Sequence, residues 1–334
     1  MATIKDVAKK AGVSIATVSR VINKSPQASK AAITSVEEAM KSLGYRPNAN
    51  ARALVSRKTN TIGVLVSDVS DPFFGSLLKA VDKVARQNNK HLLIGNGDYD
   101  ANTEREAIEF LINSCSESLV LHSKALPDKE LIALAKEAPG LVLINRYIPE
   151  IAKRCIFFDN LKGAYIATEF LIRNGHKHIA YINSDNNIDD AYDRKAGYIN
   201  ALKDNGLPTP DNYIIAAQAT DQGGKEAMIR LLSTQHRITA VVAYNDSMAA
   251  GALLALEDSN IAVPDEISVI GFDNGLISRY VRPKLTTINY PIQIMAEQAA
   301  QLSLELIKNS DYSAINNSFV PTLVIRGSVS HKSG

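Results

Sequence analysis

Residues 3–23 read TIKDVAKKAGVSIATVSRVIN, and the architecture of the N-terminal part turns on them. Ile4, Val7, Ala8 and Ala11 recur at i, i+3, i+4 and i+7, the apolar stripe of an amphipathic helix. Thr3 stands at the N-cap position with Asp6 three residues on, the spacing of a reciprocal cap. Gly12 and Val13 break the stripe. Ser14 can then cap a second helix through IATVSRVIN, with Ala16, Val18, Val21 and Ile22 available for packing. A third helix fits from Ser29 to about Leu43, capped by Ser29 and stopped by Gly44. Helix, tight turn, helix is the helix-turn-helix pattern.

Charge points the same way. The chain of 334 residues has a bland net charge of +2. Residues 1–60, however, carry eleven Lys/Arg against Asp6, Glu37 and Glu38, a net +8, and the remaining 274 residues are net −6. A segment so basic on an acidic chain is built to meet a polyanion. In a helix-turn-helix the start of the second helix lies on base edges in the major groove. Here those residues are Ile15, Ala16 and, one turn on, Arg20. Arg20 can pair with guanine O6 and N7, while Ile15 and Ala16 offer apolar contacts to a thymine methyl. Thr17, Ser19 and Asn23 have short polar groups suited to phosphates. The competing reading is a plain three-helix bundle with a basic surface.

Next comes YRPNANARALV, residues 45–55. Pro47 ends the segment before it, and Asn48 can cap a short helix after it. A helix of about eight residues is marginal alone in water, so this one is expected to form only with support from DNA or a partner chain. Leu54 suits a wedge between base steps in the minor groove. The alternative is an ordinary interdomain linker. Thr3, Lys5, Ser14, Tyr45, Asn48 and Ala51 complete the candidate DNA interface, and Arg52 is a candidate phosphate contact.

From Thr59 the pattern changes to strands alternating with helices. TIGVLVSDVS, HLLIGNGD, SLVLHS, GLVLINR and RCIFFDN read as strands, separated by helices over 73–87, 104–113 and 128–137. After residue 160 the alternation restarts with HIAYINS, YIIAAQ, TAVVAYND and ISVIGFDN and helices over 162–174, 190–205, 222–232 and 247–259. Two successive runs of this kind predict two parallel-sheet units, which look like the two lobes of a sugar-binding-protein fold with a cleft between them. Open α/β sheets bind ligands at strand C-termini. Asp68, Asn145, Asn245 and Asp273 stand at such ends, and Arg194 near a helix start. Carboxylates, amides and an arginine suit sugar hydroxyls, and Phe73 can stack on an apolar sugar face. Each residue taken singly is as well explained as a helix cap.

The run ATIKDVAKKAGVS.ATVSRVIN, followed by Y-x-P-N-A-x-A-R-A-L, resembles the lactose/galactose repressor (LacI/GalR) family of bacterial transcription regulators, and the likeness extends over nearly the whole chain. It implies an α/β fold in which a helix-turn-helix headpiece is joined to a two-lobed, periplasmic-binding-protein-like core of parallel sheets. The implied divisions are a headpiece at 1–46, a hinge helix and linker at 47–59, one lobe at 60–160 plus about 291–318, and another at 161–290 plus about 319–330. The hinge orders on the operator in that family, and Leu54 falls on its wedge position, followed by Val55 where alanine is more usual. By the same resemblance Arg194, Asn245 and Asp273 hold the effector. Asp190 and Phe73 fall on neighbouring pocket positions, and Asn145 on one usually aspartate. SDVSDPFFG, LLIGNG, LVLINR, AYNDSMAAG and SRYVRPKLTTINYP resemble the family's galactose repressors more than its lactose or purine members, which implies galactose as inducer.

Other signals weigh little. GNG at 95–97 lacks the rest of a dinucleotide fingerprint, and there is no GxSxG or Walker A sequence. His176 and His178 lack a third ligand at metal spacing, and capping explains Asp189, Asp190 and Asp193. No cofactor is expected. The two cysteines, Cys115 and Cys155, are expected reduced in a cytoplasmic protein without secretory signal or membrane span. The expected partners are double-stranded operator DNA, a sugar, and a second copy of the chain in a homodimer. The C-terminus lacks the leucine heptad of a tetramer-forming tail, so dimers are expected. A transport binding protein or a sugar-modifying enzyme are the rival classes. The basic headpiece opposes the first, and the lack of a nucleophile–base pair opposes the second.

Overall fold

The structure, a computed structural model, describes residues 2–23, 25–45, 60–114, 117–234, 237–312 and 317–332. The candidate hinge, with Asn48, Ala51, Arg52 and Leu54, lies outside the described residues, as does Cys115. The described residues form two units, divided after residue 59.

In the headpiece, α1 (Ile4–Ala11), α2 (Ile15–Ile22) and α3 (Lys30–Leu43) start and stop on local signals. Thr3 and Asp6 cap one another: the Asp6 amide donates to the Thr3 hydroxyl and the Thr3 amide to the Asp6 carboxylate. Ser14 accepts from the Thr17 amide and Ser29 from that of Ala32. Gly12 and Gly44 end α1 and α3 at φ of 66° and 59°, the left-handed region that glycine enters without cost. Val7, Ala8, Val18, Val21, Val36 and Ala39 form the buried core. Ala16 is exposed instead of packed.

The second unit is built on two six-stranded sheets. The first half of it contains β1 (Thr61–Val66), α4 (Pro72–Gln87), β2 (His91–Asn96), α5 (Ala101–Asn113), β3 (Ser118–Leu121), α6 (Asp128–Glu137), β4 (Gly140–Ile144) and β5 (Cys155–Phe158). The second half contains α7 (Asn160–Arg173), β6 (Ile179–Ser184), α8 (Asp189–Asp204), β7 (Ile214–Ala217), α9 (Asp221–Ser233), β8 (Ala240–Ala243), α10 (Asp246–Asp258), β9 (Ser268–Asp273), α11 (Ile277–Tyr280) and β10 (Thr286–Asn289). The chain then returns to the first sheet with α12 (Ile292–Lys308) and β11 (Ser318–Phe319), and ends on the second with β12 (Thr322–Val324). Strand order is β11-β5-β4-β3-β1-β2 in one sheet and β12-β10-β9-β8-β6-β7 in the other. Among the described residues every strand pairing is parallel except β10 with β12.

The central strands are buried on both faces, which explains their unbroken apolar runs such as GLVLI and AVVA. Helices α9 and α10 pack so closely that a Cβ on Gly251 would lie 1.8 Å from the Asp221 carbonyl oxygen. In each sheet the direction of winding reverses beside the first strand of its run. The crevices this leaves open at the C-terminal ends of β1 and β3 and of β6 and β8. Phe158 stacks on Tyr290 at 4.2 Å and meets Phe272 edge-on at 6.0 Å, close to where the chain passes from one lobe to the other.

Candidate DNA-reading face and effector cleft

On the headpiece, α2 buries Val18 and Val21 and turns Ile15, Ala16 and Arg20 outward. Ile15 is 45% exposed. Lys5 and Asn23 are exposed too, while Thr17 and Ser19 are half-buried. The Asn23 amide donates to Ser19 at 3.4 Å, and the Thr17 and Ser14 hydroxyls lie 2.9 Å apart. Tyr45 packs partly against the headpiece core. The remaining candidates of this face, Asn48, Ala51 and Leu54, are among the residues not described.

In the cleft, Asp190 and Arg194 stand one turn apart in α8 and therefore face the same way. Arg194 lies 3.7 Å over the Phe272 ring and 4.5 Å over that of Tyr244. Its guanidinium donates to the Tyr244 carbonyl at 2.6 Å and to Asn160 Oδ1 at 2.9 Å, and sits 3.7 Å from Asp273. Burial alone would lower the Arg194 pKa, but the facing acidic groups and Tyr244 outweigh it and raise it. Burial pushes the Asp273 carboxyl well up, with Arg194 opposing. Asp273 also takes φ 112°, strained for a residue with a Cβ. Asp246 holds the turn after β9: it accepts from the Gly275 amide at 2.7 Å and from the Thr287 hydroxyl at 2.6 Å. Its own pKa is pushed up to about 7 by burial, those two bonds offsetting part of the rise.

Asp190 is reached from the opposite lobe. Lys124, just past β3, places its ammonium 2.7 Å from Asp190 Oδ1, and Asn145 donates to Oδ2 at 2.7 Å. Burial would raise the Asp190 pKa, but Lys124 and then Arg194 hold it below the ordinary carboxylate range. The capping expectation for this acidic run is corrected here. The helix starts at Asp189, so the N-cap is Ile188, which has no capping group, and Asp190 is turned inward to the lysine. Asn245 does cap, accepting from the Met248 amide at 2.8 Å and donating to the Ala219 carbonyl at 3.0 Å. Asp68 closes a local turn on Ser70. Phe73 meets Tyr290 edge-on at 5.1 Å. The structure thus brings Asn145, Asp190, Arg194 and Asp273 into one network, with Phe73 on the aromatic cluster beside it and Asn245 next to the carbonyl that Arg194 binds.

Four participants escaped the sequence reading: Lys124, Asn160, Tyr244 and Tyr290. Lys124, Tyr244 and Tyr290 follow strands β3, β8 and β10, the same positional signal that found the others. Tyr290 Oη is buried and lacks a hydrogen-bond partner among the described residues, as do Tyr181 Oη, Asn183 Oδ1 and Gln298 Oε1. Tyr99, in a loop with φ 53°, reaches from the first lobe to pack against the core of the second. A cavity of about 610 Å³ lined by Lys177, His178 and Arg237 lies elsewhere, at the N-terminal ends of β6 and β8, and includes none of these groups.

A helix-turn-helix headpiece followed by a two-lobed core with a charged, aromatic-floored cleft defines a ligand-responsive DNA-binding repressor. Residues 3–48 match the lacI family of bacterial regulatory proteins, and residues 168–329 match a periplasmic binding protein-like domain. The chain belongs to the LacI family. It is 53% identical over 330 residues to the HTH-type transcriptional regulator GalR of Escherichia coli K12, covering 99% of this chain and 96% of GalR. Among solved structures it is similar to the lac repressor dimer bound to operator and the anti-inducer ONPF, at TM-score 0.85 and 26% identity over 98% of this chain and 99% of that one. The transcriptional regulator CelR–cellobiose complex matches at TM-score 0.70 and 28% identity, over 98% and 100%. No helix among the described residues is long and apolar enough to cross a membrane.

Proposed function

We propose that the chain is a homodimeric, cytoplasmic repressor of a galactose-utilisation operon, released from its operator when D-galactose enters the cleft. The cleft is regulatory and non-catalytic on this reading. The observation that carries it is Arg194: a buried guanidinium 3.7 Å over the Phe272 ring, flanked by Asp190, Asn160 and Asp273. Phe73, half-buried beside this network, offers the apolar face and the charged and amide groups the polar edge that suit the two faces of a pyranose, C–H and hydroxyl. The 53% identity to GalR supports galactose among the sugars. Residues 1–46, 47–59 and the two lobes serve as reader, conditional hinge and sensor. Closure of the lobes on the sugar splays the two hinges of the dimer and separates the two readers from a near-palindromic site.

Operator titration with and without D-galactose tests this, and equal affinity in the two arms overturns induction. Asp273→Ala is expected to leave sugar-free operator binding intact and abolish the response to galactose. A thermal-shift screen over monosaccharides and purines, in which a ligand of the native state raises the melting temperature, separates galactose from a purine or another sugar acting as corepressor.

A further inference from the structure

Lys124 and Asp190 come from different lobes and are among the most buried charges of the core, with side chains 2% and 9% exposed. The lysine is held in place from behind. Glu104, fully buried at the start of α5, accepts from the amides of Lys124, Ala125 and Leu126 and from the Ser123 hydroxyl. That carboxylate gathers the whole loop after β3 and leaves the ammonium directed across the cleft. There it donates to Asp190 and to the Asn145 carbonyl. Asn145 grips the other oxygen of the same carboxylate. Asn160 lies 3.4 Å from both Asn145 and Asp190 and accepts from Arg194, so the chain of contacts runs unbroken from Glu104 to Asp273.

We propose that Lys124 is a further positioning residue of the effector site: its ion pair with Asp190 ties the two lobes and sets the direction in which Asp190 and Asn145 meet the sugar. This rests on the reading of the cleft as a sugar site. The physical ground is the asymmetry of buried ion pairs. Removing one partner strands the other charge in a poor solvent, whereas removing both leaves none. A lobe contact of this kind therefore has a signature that a lysine merely touching the ligand lacks.

The test is a double-mutant cycle in the full chain, with Lys124→Met, Asp190→Asn and the pair, read by calorimetric titration with D-galactose and by thermal melting without sugar. Each single variant is expected to lose at least about tenfold in galactose affinity and to melt lower, and the double variant to lose no more than the worse single. Losses that multiply in the double variant overturn the proposal, as does wild-type affinity in Lys124→Met. If the wild-type chain does not bind galactose, the effector reading fails. The lobe tie is then judged on the sugar-free melts, where non-additive losses support it and additive ones overturn it. Should Lys124→Met not fold, Lys124→Gln, which keeps one donor, is judged by the same criteria.

Discussion

Arg20 and Lys5 carry the same charge on the same headpiece and are expected to fail differently when removed. Arg20 projects from the reading helix, so Arg20→Ala is expected to cost about 1–3 kcal/mol at its preferred base pair and to relax choice at that position. Lys5→Ala is expected to weaken all sequences alike and to reduce the slope of log K against log salt by about 0.9. Binding measured on operator variants at several salt concentrations separates the two. Asp246 makes a prediction of another kind. Its folded pKa, raised to about 7, lies above that of an unfolded aspartate, so the folded chain holds the proton more tightly. The stability this contributes is present at acid pH and is lost as pH rises from about 4 through 7. Asp246→Asn is expected to flatten that slope, seen as a melting-temperature difference from wild type that changes between pH 5 and pH 8. At this scale much was legible. Thr3, Ser14 and Ser29 announce themselves as caps because capping is local. The Lys124–Asp190 pair spans 66 positions in sequence, and no local pattern marks it.

Helices α9 and α10 illustrate what an element owes to its neighbours. Buried residues on successive turns make α10 apolar nearly all round, as befits a helix with packing on every side. Its contact with α9 needs glycine: a methyl group on Gly251 meets the Asp221 carbonyl and the Lys225 amide. Gly251→Ala is therefore expected to destabilise by about 3 kcal/mol, in spite of alanine's better helix propensity, and urea unfolding measures it. The alternating strands and helices up to residue 273 were legible because each apolar run is flanked by polar turn residues. The final part was not. β11 and β12 have two and three residues, too short for any periodicity, and they exist because neighbouring sheets offer them an edge.

For the molecule as a whole, the regulatory model requires reciprocity. If galactose weakens operator binding by some factor, operator must weaken galactose binding by the same factor. Galactose titrations with and without saturating operator DNA check it, and unequal factors would mean that a titration was not at equilibrium or that the two measured different species. The charge division supports an exchange between sites of unlike chemistry. The +8 N-terminal segment is drawn to DNA, while the net −6 of the remainder discourages the core from lying on it. The aromatic cluster at the lobe crossing has a practical consequence. The chain has twelve tyrosines and no tryptophan. Its near-ultraviolet circular dichroism is therefore a tyrosine spectrum, and rings held rigidly dominate such spectra. Tyr290 is stacked on Phe158 at an interplanar angle of 28°, beside the segments that cross between the lobes. If the lobes close on the sugar as proposed, a change in this spectrum on adding galactose is expected, and its absence would count against a rearrangement at the crossing.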